Sequence, residues 1–111
     1  MSYRQEIKNI FEFNRRFIKE DMTEDERSLW LQRFVMYSID ELTEILEELP
    51  FKHWKDYTDT EMDKEAILKE IADVLIFAFG MVYILGYDEE DILNEIAEKN
   101  QVNVRRQEEG Y

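Results

Sequence analysis

Cysteine is missing from the chain altogether. That excludes a disulfide framework, a thiolate zinc site and a cysteine nucleophile, and it fits a cytoplasmic setting. Turn-formers are almost as scarce, with one proline and three glycines in 111 residues. So few chain breakers favour long uninterrupted helices over a turn-rich β fold. Cations are outnumbered, 14 Lys and Arg against 27 Asp and Glu, for a formal net charge of −13. Bare nucleic acid should be repelled, because gripping phosphates takes clustered Lys and Arg. A divalent cation changes that locally by carrying a polyphosphate to an acidic surface. The plain reading of most of the acidity is solubility. No apolar run is long enough for a membrane span. The most apolar stretch, Ile71 to Leu85, is interrupted by Asp73 and falls short of the roughly 20 residues a bilayer requires. No basic-then-apolar leader opens the chain, so no membrane association is expected.

What is present is a substantial apolar fraction. The chain is 44% hydrophobic and 14% aromatic, enough to bury a core within one domain over residues 1–111. Four helices are expected. The first, from Tyr3 to about Lys19, carries Ile7, Ile10, Phe11, Phe13, Phe17 and Ile18 at helical spacing. Thr23 with Glu26 forms a capping-box pattern ahead of a second helix, Glu24 to about Leu49, that Pro50 stops. A third helix opens near Asp59 or Thr60, either of which suits a cap, and runs to Leu85 with Gly86 as its stop. Its second half is apolar on nearly every side, which predicts the central, most buried helix. Asp88 caps a fourth helix, from Glu89 to Asn100 or beyond. The sequence therefore reads as all-α, a four-helix-bundle-like domain of antiparallel helices. A short last helix beside an apolar third one predicts a partner surface, hence a homodimer or a dimer of dimers.

Residues three apart share a helix face. Glu41 and Glu44 form such a pair on the second helix, and Glu70 and Asp73 form one on the third. Antiparallel neighbours can bring the two pairs opposite each other. Four converging carboxylates repel unless a cation lies among them. Mg²⁺ prefers oxygen ligands, keeps waters and accepts substrate phosphates. Asp73 is the most pointed of the four, because it lies inside the run Ile71-Ala72-Asp73-Val74-Leu75-Ile76-Phe77 and an unpaired charge there is penalised. The alternatives are a solvated face for Glu41 and Glu44 and an ion pair with Arg33 or Lys99 for Asp73.

The strings ELTEILEELPFKHWK (Glu41 to Lys55), EIADVLIF (Glu70 to Phe77) and KNQVNVRRQEEGY (Lys99 to Tyr111) resemble the dimeric all-α dUTPases. These sit within a wider all-α NTP pyrophosphatase superfamily that includes the MazG proteins. The resemblance implies Mg²⁺-dependent hydrolysis of a nucleoside triphosphate, dUTP to dUMP and pyrophosphate. It implies metal ligation by Glu41, Glu44, Glu70 and Asp73, with Glu44 orienting or deprotonating the attacking water. Lys99, Asn103, Arg106 and Tyr111 match the closing motif, which contacts phosphates and sugar. Phe77 corresponds to an aromatic packed on the deoxyribose, where it leaves no room or partner for a 2′-hydroxyl. Trp54 would lie beside the base. Asn14 offers both donor and acceptor, as a pyrimidine edge requires. His53 reads as structural, and Ile76 stands where family members often carry histidine. A broader (d)NTP pyrophosphatase is the alternative. A second is a non-catalytic acidic protein that binds a basic partner, in which the carboxylates would be scattered.

Overall fold

A computed structural model describes residues 2–57 and 61–110. Among them the order is α1 (Tyr3–Arg15), α2 (Glu24–Glu47), α3 (Lys64–Leu85) and α4 (Glu89–Glu108), with no strand. The fold is all-α.

Each helix opens on a side chain that accepts from its first turn. Ser2 accepts from the Gln5 amide at 3.1 Å. Thr23 and Glu26 close a reciprocal capping box at 3.2 and 3.1 Å. Asp88 and Asp91 form another, with both bonds at 3.0 Å. These contacts satisfy amides that have no partner inside the helix. Helix α3 begins later than the sequence suggests, because Asp63 is its cap and accepts from the Ala66 amide at 3.0 Å. Asp59 and Thr60 lie outside the described residues. Gly86 ends α3 at φ 90°, in the left-handed region that glycine enters without penalty.

Two boundaries fall short of the expected ones. Helix α1 stops at Arg15, not Lys19, because the chain turns so that Ile18 and Met22 fold into the core. There the Ile18 carbonyl accepts from the buried Tyr83 hydroxyl at 2.6 Å. Helix α2 ends at Glu47, and its final turn tightens through Glu48 and Leu49 before Pro50. Helix α4 instead runs on through the closing segment.

Helices α2 and α3 pair antiparallel. Arg27 donates to the Ile84 carbonyl, Phe34 meets Phe77 and Glu41 interacts with Glu70, so rising numbers on one helix meet falling numbers on the other. Helix α1 crosses the C-terminal half of α3, where Phe11 lies 6.1 Å from Tyr83 between ring centroids. The core sits at this three-helix meeting: Ile7, Phe11, Ile18, Met22, Phe34, Tyr83 and Ile84.

The core does not continue along the pair. No residue of α2 after Phe34, and none of α3 before Gly80, is buried. The expectation that α3 is the most buried helix therefore holds only for its last turns. Leu75 and Ile76 are 51% and 44% exposed, since a two-helix ribbon has no third layer to cover its outer apolar faces. Helix α4 has no buried residue at all. The radius of gyration is 17.6 Å, against about 13 Å for a compact domain of this length.

Candidate active site

The open half of the α2–α3 ribbon carries the carboxylates. Glu41 from α2 and Glu70 and Asp73 from α3 bring one oxygen each within 4.8 Å of one another. Asp40, Glu41 and Glu44 do the same along α2. Glu41 belongs to both groups, so the four carboxylates foreseen from spacing share one volume. Asp40 joins them. Its signal in the sequence was the i,i+4 spacing to Glu44, which places the two on one face.

The electrostatics are those of like charges held together. Glu70 is raised above the usual carboxylate range, first by its close contact with the Glu41 carboxyl, with desolvation and the charges of Glu41 and Asp73 adding to it. Glu44 is raised by its close contact with the Glu70 carboxyl, the Glu70 charge and desolvation. For Glu41 the contact with Glu70 pulls downward, but desolvation and the charges of Glu44 and Asp73 outweigh it, and the net direction is up. Closely spaced carboxyls resist full ionisation and tend to share a proton.

Two oxygens decide what the cluster is suited to hold. Glu41 Oε2 and Glu70 Oε2 are sealed from solvent and have no hydrogen-bond partner. A buried acceptor without a donor is costly, and no ion pair to either residue occurs among the described residues. An all-oxygen, all-anionic donor set suits a hard divalent cation such as Mg²⁺. The residues present therefore fit the group.

Asp73 is exposed, contrary to the apolar burial its sequence neighbours suggest, because Ile71, Leu75 and Ile76 beside it are themselves largely uncovered. The ion pair with Arg33 does not form either. The Arg33 guanidinium lies over the Trp30 ring, 4.9 Å from its centroid.

One turn along α3 from Asp73, the Phe77 ring packs edge-on against Phe34 at 5.6 Å and tilted against Tyr37 at 5.6 Å. Another turn on, Gly80 lets α1 and α2 approach closely. A Cβ there would fall 2.4 Å from the Phe34 ring and 3.2 Å from Asn14 Nδ2. Asn14 is buried, 7% exposed, and its Nδ2 has no acceptor. Glu70, Asp73, Phe77 and Gly80 thus follow one face of α3, at steps of three, four and three residues.

The sequence pattern of a dUTPase family matches residues 6–83. The chain belongs to this dUTPase family. No curated protein and no solved structure matches it significantly. Membership brings dUTP pyrophosphatase activity in general. The matched span of this dUTPase holds the four carboxylates, Asn14, Trp54 and Phe77.

Among the described residues, none of Trp54, Lys99 and Asn103 makes a hydrogen bond or ion pair with the carboxylates. Trp54 is 69% exposed in the α2–α3 connection and stacks edge-on with His53 at 5.2 Å. Lys99, Asn103 and Arg106 are exposed on α4. Tyr111 lies outside the described residues. Among the described residues, no helix is long and apolar enough to cross a membrane.

Proposed function

We propose that this dUTPase hydrolyses dUTP to dUMP and pyrophosphate with Mg²⁺ held by Glu41, Glu44, Glu70 and Asp73, residues 1–111 acting as one domain. The observation that carries the reading is the facing pair of unpartnered oxygens, Glu41 Oε2 and Glu70 Oε2, within a cluster that pays for its own repulsion when no cation is present.

When bound, magnesium supplies positive charge to the phosphate chain and acidifies water. The other steps belong to the protein. Glu44 is partly exposed, so it is suited to take the proton as a water oxygen attacks phosphorus. The new P–O bond forms as the bond to the pyrophosphate leaving group breaks, and Glu44 later returns its proton to solvent. Phe77 lies a turn from Asp73 and meets the deoxyribose, leaving no polar partner for a 2′-hydroxyl. Asn14, on α1 where it lies against Gly80 of that face, meets the uracil edge, which would give its Nδ2 the acceptor it lacks. Trp54 reaches the base from its loop. Lys99, Asn103, Arg106 and Tyr111 donate to phosphate and sugar oxygens. The apolar ribbon residues left uncovered, such as Leu42 at 49% and Leu75 at 51% exposure, support a homodimer or a dimer of dimers.

A broader (d)NTP pyrophosphatase of the MazG type is the second reading, favoured by the openness of the carboxylate ribbon. A panel of dUTP, dCTP, dTTP and UTP with Mg²⁺, scored for pyrophosphate release, separates the two. Equal cleavage of dCTP and dUTP would overturn the narrower specificity. The clustering of the carboxylates and the family membership leave the non-catalytic reading without support.

A further inference from the structure

Within one chain, α4 leads away from the carboxylates. Phe11 and Asn14 of α1 lie against Tyr83 and Gly80 of α3, so α1 followed backwards towards Tyr3 travels past the C-terminal end of α3. There it meets the start of α4. Arg4 pairs with Glu90, and Lys8 with Glu89 at 3.4 Å. Leu93 then shares a cleft with Ser2, Tyr3 and Arg4 at the very start of α1. Lys99, Asn103 and Arg106 lie further along the same helix. Roughly 20 Å of helix separates Asp73 from Gly86, and α4 begins only beyond that point.

We propose that Lys99, Asn103 and Arg106 serve the carboxylate cluster of a second copy of this chain, not that of their own. The inference rests on the reading of the carboxylates as the dUTP site and adds which subunit supplies its cations. Steps of four and three place the three side chains on one helix face. That face continues the stripe of Ile92 and Ile96. Ile96 and Val104 are 49% and 50% exposed, and in proteins most helical stability comes from packing an amphipathic face. The helix is acidic in its first turn and basic in its last, so its far end complements a cluster of four carboxylates. The ribbon beside that cluster offers uncovered apolar side chains, among them Leu42, Leu68 and Ile71. A two-fold axis makes the exchange reciprocal, each α4 lying on the other copy's ribbon.

Subunit mixing tests this. Asp73→Asn and the double variant Lys99→Ala/Arg106→Ala are each expected to be nearly inactive as pure samples. A two-tag mixed dimer of one with the other holds one intact site and should show about half of wild-type turnover. A mixed dimer with no recovery would mean that α4 folds back onto its own ribbon, and would overturn the proposal. So would a fully active monomer in sedimentation, or failure to isolate any two-tag species. An active Lys99→Ala/Arg106→Ala sample removes α4 from the site and overturns the inference while the carboxylate reading stands. An active Asp73→Asn sample overturns the reading beneath it. A second readout needs no turnover. Because the chain has no cysteine, Asp40→Cys on one tagged chain and Asn103→Cys on the other should form a disulfide between chains on mild oxidation. A disulfide confined within single chains that carry both substitutions would overturn the exchange.

Discussion

Glu41 and Glu70 face each other across the α2–α3 pair, each with its Oε2 sealed from water and without a donor. Their contact raises the proton affinity of Glu70, while desolvation and neighbouring charge raise that of Glu41. The protein thus keeps a destabilising arrangement at the place where its chemistry is proposed to occur, as functional sites often do.

That conflict gives the first prediction. Glu70→Gln removes one charge from the cluster, so in EDTA its melting temperature should exceed that of the wild type. Its dUTP turnover should fall by about 100-fold or more, since a charged ligand is lost. Thermal melts with and without Mg²⁺ check both halves, and only the wild type should gain substantially from the ion.

Asp73→Asn should behave differently. Asp73 is exposed, so the substitution should leave the melting temperature nearly unchanged while turnover collapses. Circular dichroism and pyrophosphate release on the same sample measure this. Unchanged rates would remove Asp73 from the mechanism.

The carboxylate pairs were legible before any coordinates, because a spacing of three on each of two helices is all that convergence requires. Their environment was not. The apolar run around Asp73 reads as buried in sequence, yet burial needs a neighbouring layer, and the ribbon has none within one chain. The sealed, unpartnered atoms turned out to be one oxygen each of the half-buried Glu41 and Glu70, and Nδ2 of Asn14. Capping was legible at Thr23 and Asp88, where one side chain decides the matter locally. The start of α3 was not, because Asp59, Thr60 and Asp63 are all competent caps and the choice depends on tertiary fit. Gly80 carried no sequence signal. Its role appears only once Phe34 and Asn14 are seen against it.

Gly80→Ala should therefore destabilise the protein despite the better helix propensity of alanine. Propensity favours the change by roughly 1 kcal/mol, but the added Cβ would sit 2.4 Å from the buried Phe34 ring. Overpacking of this kind costs about 1–3 kcal/mol. Urea denaturation should show a net loss, together with weaker dUTP binding as Asn14 shifts.

Phe77→Ala should cost about 3 kcal/mol, the lower end for a core phenylalanine, because the ring is only partly buried. Its more telling effect is on selectivity. The ratio of kcat/KM for dUTP over UTP should drop, since the surface that excludes a 2′-hydroxyl is gone.

Acid should loosen the helix starts. Glu26 is held below the ordinary carboxylate range, first by the Thr23 amide, and Asp88 is held down by the Asp91 amide. A depressed folded-state pKa contributes stability that is complete above the unfolded value and lost as pH falls through the folded one. Melting temperature should therefore drop as pH falls below about 4.5, the normal range for these groups. The drop should be smaller in Glu26→Gln, measured by calorimetry.

The most direct test of the account is pyrophosphate release from dUTP as Mg²⁺ is titrated into protein stripped with EDTA. The account predicts no measurable turnover without the ion, saturable recovery with it, and no recovery in Glu41→Gln. Hydrolysis at the full rate in EDTA, or in Glu41→Gln, would contradict it.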